Sequence, residues 1–182
     1  MKLLLPLVII ILVGSQAKSQ DVPEPDFSQK PYFLVDGKLI DMEKVDASLE
    51  KKMRAMGYGG VEYFYSIAGN KSSIRFAASS IPKIIYKNDD NSDPTESILV
   101  CVGESRKDSR RFASFRMSAL GSSKGVLDNR IKLTVKKIRD KIFEITIDQP
   151  LSPGEYAVLP YSKGTTMTVV TTGTKVNCFG VD

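Results

Sequence analysis

The chain has 182 residues, with 26 Lys and Arg against 21 Asp and Glu, a formal charge of +5 and no histidine. Without an imidazole, Ser-His-Asp and Cys-His nucleophilic catalysis are excluded within this chain, and so are His-based zinc centres. The basic residues are scattered among the acids, so the charge pattern argues against a nucleic-acid partner.

Met1-Lys2 is a short basic start, Leu3 to Val13 is an unbroken apolar run, and Gly14 to Ser19 is small and polar. This is the pattern of a secretory signal peptide. The run falls short of the roughly 20 apolar residues that a spanning helix needs. Residues 1–19 are therefore expected to be removed before Gln20, with Ala17 and Ser19 as the small residues ahead of the cut. No cysteine sits at that point, so a lipoprotein anchor is not expected. The expected address is exported, periplasmic or extracellular, with no transmembrane segment in the mature chain. Loss of Lys2 and Lys18 leaves that chain at about +3. Its length suits one domain, residues 31–182, able to bury about 70% of its unfolded surface.

Residues 20–30 contain Pro23 and Pro25 and little apolar content, which predicts an extended, poorly ordered tether. Tyr32 to Val35 and Lys38 to Ile40 flank Asp36-Gly37, the dipeptide suited to a type I′ turn, so a hairpin should open the domain. A short helix is predicted next. Asp46 can cap it, Leu49, Met53 and Met56 recur at spacings of four and three, and Gly57 can end it. Lys51, Lys52 and Arg54 would form its wet face.

From Val61 the pattern changes to short β-like runs divided by turn residues: Val61–Ile67, Ser72–Ala77, Lys83–Lys87, Ser97–Gly103, Arg110–Met117, Arg130–Lys137, Lys141–Asp148, Glu155–Pro160, Thr165–Thr171 and Lys175–Val181. Such spacing predicts an antiparallel β-sandwich. Ile131, Leu133 and Val135 alternate with Lys132, Thr134 and Lys136, and Phe143, Ile145 and Ile147 repeat the arrangement. A turn at Arg139-Asp140 should join the two as a hairpin. Ile98 to Val102 is apolar throughout, as expected of a strand covered on both faces.

Few residues invite chemistry. Glu62-Tyr63-Phe64-Tyr65 is the densest aromatic cluster, and alternation puts Tyr63 and Tyr65 on one face. That face is either a stacking surface for a sugar or protein partner, or a buried aromatic strand. Asp89, Asn91 and Asp93 alternate as oxygen ligands do in a calcium loop, but Pro94 and Cys101 stand where that loop needs Gly and Glu; the competing reading is a polar turn at Asp93-Pro94. Cys101 and Cys178 are either one disulfide, fitting an oxidising compartment, or two buried thiols. Glu62, Glu104, Glu144 and Asp148 lie on separate runs, and a pair of them facing each other would permit glycoside hydrolysis. No motif implies a cofactor.

Leu151-Ser-Pro-Gly-Glu-Tyr-Ala157 resembles the L-x-P-G-x-Y element before the penultimate strand of many bacterial immunoglobulin-like sandwiches. With Cys178-Phe-Gly-Val-Asp182, the ending also resembles a group of uncharacterised exported proteins of Gram-negative bacteria. The resemblance implies an immunoglobulin-like sandwich, and with the short helix read from Asp46 to Gly57 the expected fold is a mainly β, antiparallel immunoglobulin-like β-sandwich with one short N-terminal helix. The resemblance also implies that Tyr156 is the corner tyrosine, its hydroxyl bonded to upstream backbone. It implies no activity. The core Trp of that pattern is missing, and Val158 stands where its second Cys would be.

Two function classes remain. One is a non-catalytic binding or structural module of the cell envelope, with an envelope protein or glycan as partner. The other is a carbohydrate-active hydrolase working through a carboxylate pair.

Overall fold

The computed structural model describes residues 22–53, 60–117, 123–124, 130–161 and 174–182. The leader 1–19, Met56 and Gly57, and the run Thr165–Thr171 lie outside the described residues. In chain order the strands are β1 (Pro31–Val35), β2 (Lys38–Asp41), β3 (Glu43–Met53), β4 (Val61–Ala68), β5 (Arg75–Phe76), β6 (Lys83–Lys87), β7 (Ile98–Ser105), β8 (Ser109–Met117), β9 (Ser123–Lys124), β10 (Leu133–Arg139), β11 (Ile142–Ile147), β12 (Gly154–Pro160) and β13 (Thr174–Val181). A 3-10 turn, Pro94–Glu96, precedes β7. No helix among the described residues is long and apolar enough to cross a membrane.

The strands form two layers. One is a five-stranded sheet in the order β10-β11-β6-β1-β2. The other runs β12-β7-β8-β4-β3-β13, and a further β12–β13 pairing closes it into a six-stranded antiparallel barrel. β5 adds to β13 in parallel, and β9 adds to β8. The mainly β expectation holds, whereas the layers are a closed barrel with a sheet against it rather than a clear pair of facing immunoglobulin sheets.

The alternation of three strands explains how barrel and sheet share a core. On β7, Leu99 and Cys101 point into the barrel while Ile98 and Val100 face the sheet; on β12, Ala157 and Leu159 point in while Tyr156 and Val158 face out. On β13 the same division falls between Val176 with Cys178 and Phe179 with Val181. These strands are buried on both sides, which is why Ile98 to Cys101 is apolar without alternation, whereas Val102, expected to be covered as well, is exposed. Phe33, Ile84 and Ile145 complete the interlayer core from the sheet, and the Phe33 ring meets Phe179 edge-on at 5.3 Å. Each such buried side chain contributes about 1.5–3 kcal/mol relative to exposure. Inside the barrel, Tyr65, Ile67 and Phe112 fill the remaining space. Gly103 is required by that packing, since a Cβ there would lie 2.3 Å from the Phe112 ring.

The expected helix is replaced by β3, an 11-residue strand. Leu49, Met53 and Met56 do share a helical spacing, but Glu43, Val45, Ala47 and Leu49 also alternate, and they are the less exposed positions of the strand. The strand wins because it is laddered on both sides, to β13 and to β4. Two neighbouring strands satisfy its backbone and bury Ala47, which an isolated helix of this propensity cannot match.

Local signals were read correctly elsewhere. Asp36 and Gly37 take φ values of 49° and 75°, as a type I′ turn requires, and Val35 pairs with Lys38. β10 and β11 form the expected hairpin, with Val135 opposite Ile145. The expected tether differs: Val22 is only 9% exposed and packs with Ile85 and Ile142 on the outward face of the five-stranded sheet.

Candidate functional site

The densest polar cluster lies at one end of the barrel, where four distant parts of the chain meet. Arg110 on β8 is 1% exposed, and its guanidinium reaches Glu43 on β3 through two bonds: Nη1 donates to Oε2 at 2.9 Å and Nη2 to Oε1 at 3.2 Å. Nη1 also lies 3.4 Å from Glu155 Oε2 on β12, and Nε donates to the Gly69 carbonyl at 3.2 Å. The Ser72 amide donates to Glu155 Oε2 at 2.7 Å, and its hydroxyl donates to Glu43 Oε2. Outside this set, Arg75 Nη1 donates to Glu155 Oε1, Nη2 to the Val181 carbonyl at 3.0 Å, and Nε to Asp182 Oδ1 at 2.8 Å. Gly180 allows this crossing, because a Cβ there would lie 2.0 Å from Arg75 Nη1.

The electrostatics follow from that saturation. Burial is the largest single influence on Glu43 and favours its neutral form, yet hydrogen bonds from Arg110 and Ser72 hold the carboxyl below its ordinary value. Burial likewise opposes the charge on Arg110, and Glu43, together with the nearby Cys178 and Glu155, more than restores it. A carboxylate held ionised by several donors is a poor general acid, because protonation would forfeit those bonds. The cluster is a clasp that ties β3, β8, β12 and the 69–75 loop together. Breaking one partner of such a buried set costs far more than the net worth of the pair.

The residues singled out in the sequence do not meet there. Tyr65 is 3% exposed inside the barrel, and burial pushes its hydroxyl up to about 12. Tyr63 is half-buried on the same strand. Of the two readings of this face, the buried aromatic strand holds at Tyr65, which belongs to the barrel core. A bulge on β4–β8 between Tyr63 and Tyr65 adjusts the register, and Phe64 on the outer side lies 4.3 Å beneath the Arg111 guanidinium.

Asp89, Asn91 and Asp93 each serve a different contact. Asp89 accepts from the Gln29 side chain; Asn91 accepts from the Lys141 amide at 2.9 Å and donates to Asp140 at 2.8 Å. Asp93 caps the 3-10 turn, accepting from the Thr95 amide at 2.8 Å. Each is thus engaged within the chain, and among the described residues no group of three or more His, Cys, Asp or Glu is placed to hold a metal ion.

Cys101 and Cys178 are buried thiols with no disulfide between them. Both pair with Ala157, one on each side of β12. Two interstrand steps of about 4.8 Å separate their backbones, beyond the roughly 7 Å that a disulfide spans. Burial pushes the Cys178 thiol up to about 12, against the opposing pull of Arg110.

Among the other carboxylates, Glu104 pairs with Arg106, Glu144 pairs with Lys83 at 2.8 Å, and Asp148 accepts from Thr134 at 2.7 Å. The carboxylates that do converge, Glu43 and Glu155, were not singled out from the sequence. Their only signal was an acid at an inward position of a strand, and the strand that carries Glu43 was not predicted, its later part, from Asp46, being read as a helix. A groove of about 300 Å³ lies where the starts of β6 and the end of β11 meet, with Ile81, Ile147 and Leu151 in its wall and Lys83 and Asp148 at its rim.

Tyr156 has the burial and the upstream backbone bond expected of it. It is 3% exposed, its hydroxyl donates to the Ser152 carbonyl at 2.7 Å, and its ring stacks on Phe179 at 5.3 Å. Comparisons of the chain with protein-family models, with curated proteins and with solved structures found no match.

Proposed function

We propose that the chain is an exported, non-catalytic binding or structural module of the bacterial cell envelope, with an envelope protein or glycan as its partner. One observation carries the reading: the converging acids Glu43 and Glu155 are saturated by Arg110, Arg75 and Ser72 at the end of a barrel filled with side chains. Groups so held serve the frame, which leaves the exterior for recognition. The leader pattern of residues 1–19 supports the exported address. Kinship with immunoglobulin-like envelope modules rests on Leu151 to Ala157 and the Tyr156 corner, while the closed barrel departs from their two-sheet pattern.

The test is expression of the full chain in a Gram-negative host, followed by osmotic-shock fractionation and sedimentation with isolated envelopes. The shock fraction is expected to hold a protein whose mass begins at Gln20 and which pellets with the envelopes. A mass retaining residues 1–19 overturns the address, and a chain that stays in the supernatant overturns the binding role.

A further inference from the structure

The barrel has a second end, and its charges are unlike those of the clasp. β3 and β12 both start at the clasp, near Glu43 and Glu155, so their far ends share the opposite mouth. There Lys51 continues the inward register of Ala47 and Leu49 and stands opposite Tyr63 of β4. Tyr161 follows β12 and packs on the barrel core. Arg130 bridges to Cys101 of β7, whose side chain points into the barrel, while the next residue, Ile131, turns away into the interlayer core. The Arg130 guanidinium lies over the Tyr161 ring at 4.7 Å.

Arg130 is the unmatched member of this set. Its Nε and Nη2 are buried, and among the described residues neither has a hydrogen-bond partner. The fork of Arg110, by contrast, is filled by Glu43. No inward position of β3, β4 or β12 at this mouth carries an acid: Leu49, Lys51 and Met53, Val61 and Tyr63, and Leu159 and Tyr161 stand there. A buried guanidinium without an acceptor is costly, and such a group calls for a partner that the chain does not supply. Tyr161 covers one face of the guanidinium, which leaves its in-plane N–H groups for that partner. A carboxylate meets two of them at once.

We propose that this mouth binds the carboxylate of an acidic sugar, with Arg130 as its two-point partner, Lys51 as a second cation and Tyr63 against the sugar ring. The inference rests on the binding role proposed above and gives that role a ligand class. β4 and β12 are laddered on both sides, so they offer no free strand edge to an extended peptide. A tyrosine, apolar in its ring and polar at its tip, instead matches a pyranose with its apolar C–H face and hydroxyl rim. Barrel mouths are a usual place for sites of this kind.

The test titrates the mature chain with a galacturonate trisaccharide, with its methyl ester and with a tetraglutamate peptide, following amide chemical shifts and thermal unfolding. The trisaccharide should bind and raise the Tm, and the ester, which lacks the anion, should bind about tenfold more weakly. Arg130→Gln should unfold no earlier than the wild type without ligand, because it removes a buried cation that has no acceptor, and should bind the trisaccharide about tenfold more weakly. Lys51→Gln, at an exposed position, should fold normally and lose affinity severalfold. If Arg130→Gln unfolds too readily to titrate, Lys51→Gln decides by the same comparison. A trisaccharide that does not bind, an ester or peptide that binds as tightly, or variants that bind as the wild type does overturn the proposal. In the envelope sedimentation, wild type and Arg130→Gln that pellet equally leave the binding role standing and remove this mouth from it, whereas a wild type that stays in the supernatant overturns the binding role itself.

Discussion

Arg110 and Glu43, 67 residues apart in sequence, meet as a two-point pair inside one end of the barrel, with Arg110 1% exposed. The Arg110 guanidinium thereby neutralises two acids from different strands, Glu43 on β3 and Glu155 on β12. Arg110→Met should cost about 3–5 kcal/mol, because Glu43 and Glu155 are left without that cation. Arg110→Lys should recover only part of this, since an ammonium lacks the planar fork. Urea unfolding of the three proteins measures the difference, and an unchanged midpoint for Arg110→Met contradicts the clasp.

Acid should loosen the same contact. The folded Glu43 carboxyl lies below its ordinary value near 4.5, so its ionised form favours the folded state at every pH above that value. The contribution is lost as pH falls through the folded value. Wild type should therefore exceed Glu43→Gln in stability by a constant margin from pH 7 to about 5, and the margin should shrink below that. A margin that grows on acidification gives the opposite sign and rules out an ionised Glu43.

Tyr156→Phe removes the bond to the Ser152 carbonyl while keeping the ring on Phe179. The expected cost is about 0.5–1.5 kcal/mol, the net worth of one hydrogen bond to the carbonyl of an exposed residue. A urea midpoint and slope matching the wild type contradict the corner role.

The thiols separate barrel from bridge. Native protein should react slowly with a thiol reagent, because both cysteines are buried and burial pushes Cys178 up to about 12. Unfolding without reductant should expose two titratable thiols, and finding none means a disulfide and a different strand order.

What could be read in advance was local. The Asp36-Gly37 turn, the Ile131 to Ile147 hairpin and the Tyr156 corner each depend on residues within about twenty positions of one another. β3 was missed because Leu49 and Met53 fit two periods at once, and only its ladders to β4 and β13 decide between them. The clasp was missed for a related reason. Glu43, Arg110 and Glu155 become neighbours only when β13 joins β3 to β12, a closure with no signature in any one segment. Residues 20–30 hold only Val22 and Phe27 among prolines, acids and polar residues, a composition that reads as solvated chain, and of the two only Val22 is buried.

The most direct measurement is product release. Purified mature chain is incubated with isolated envelope fragments, and soluble reducing ends are followed beside the amount of chain bound. The expected result is retention on the fragments with no release above the blank. Release of glycan fragments by the wild type that is lost in a folded Glu155→Gln variant contradicts a non-catalytic module and makes the barrel-end acids a working pair.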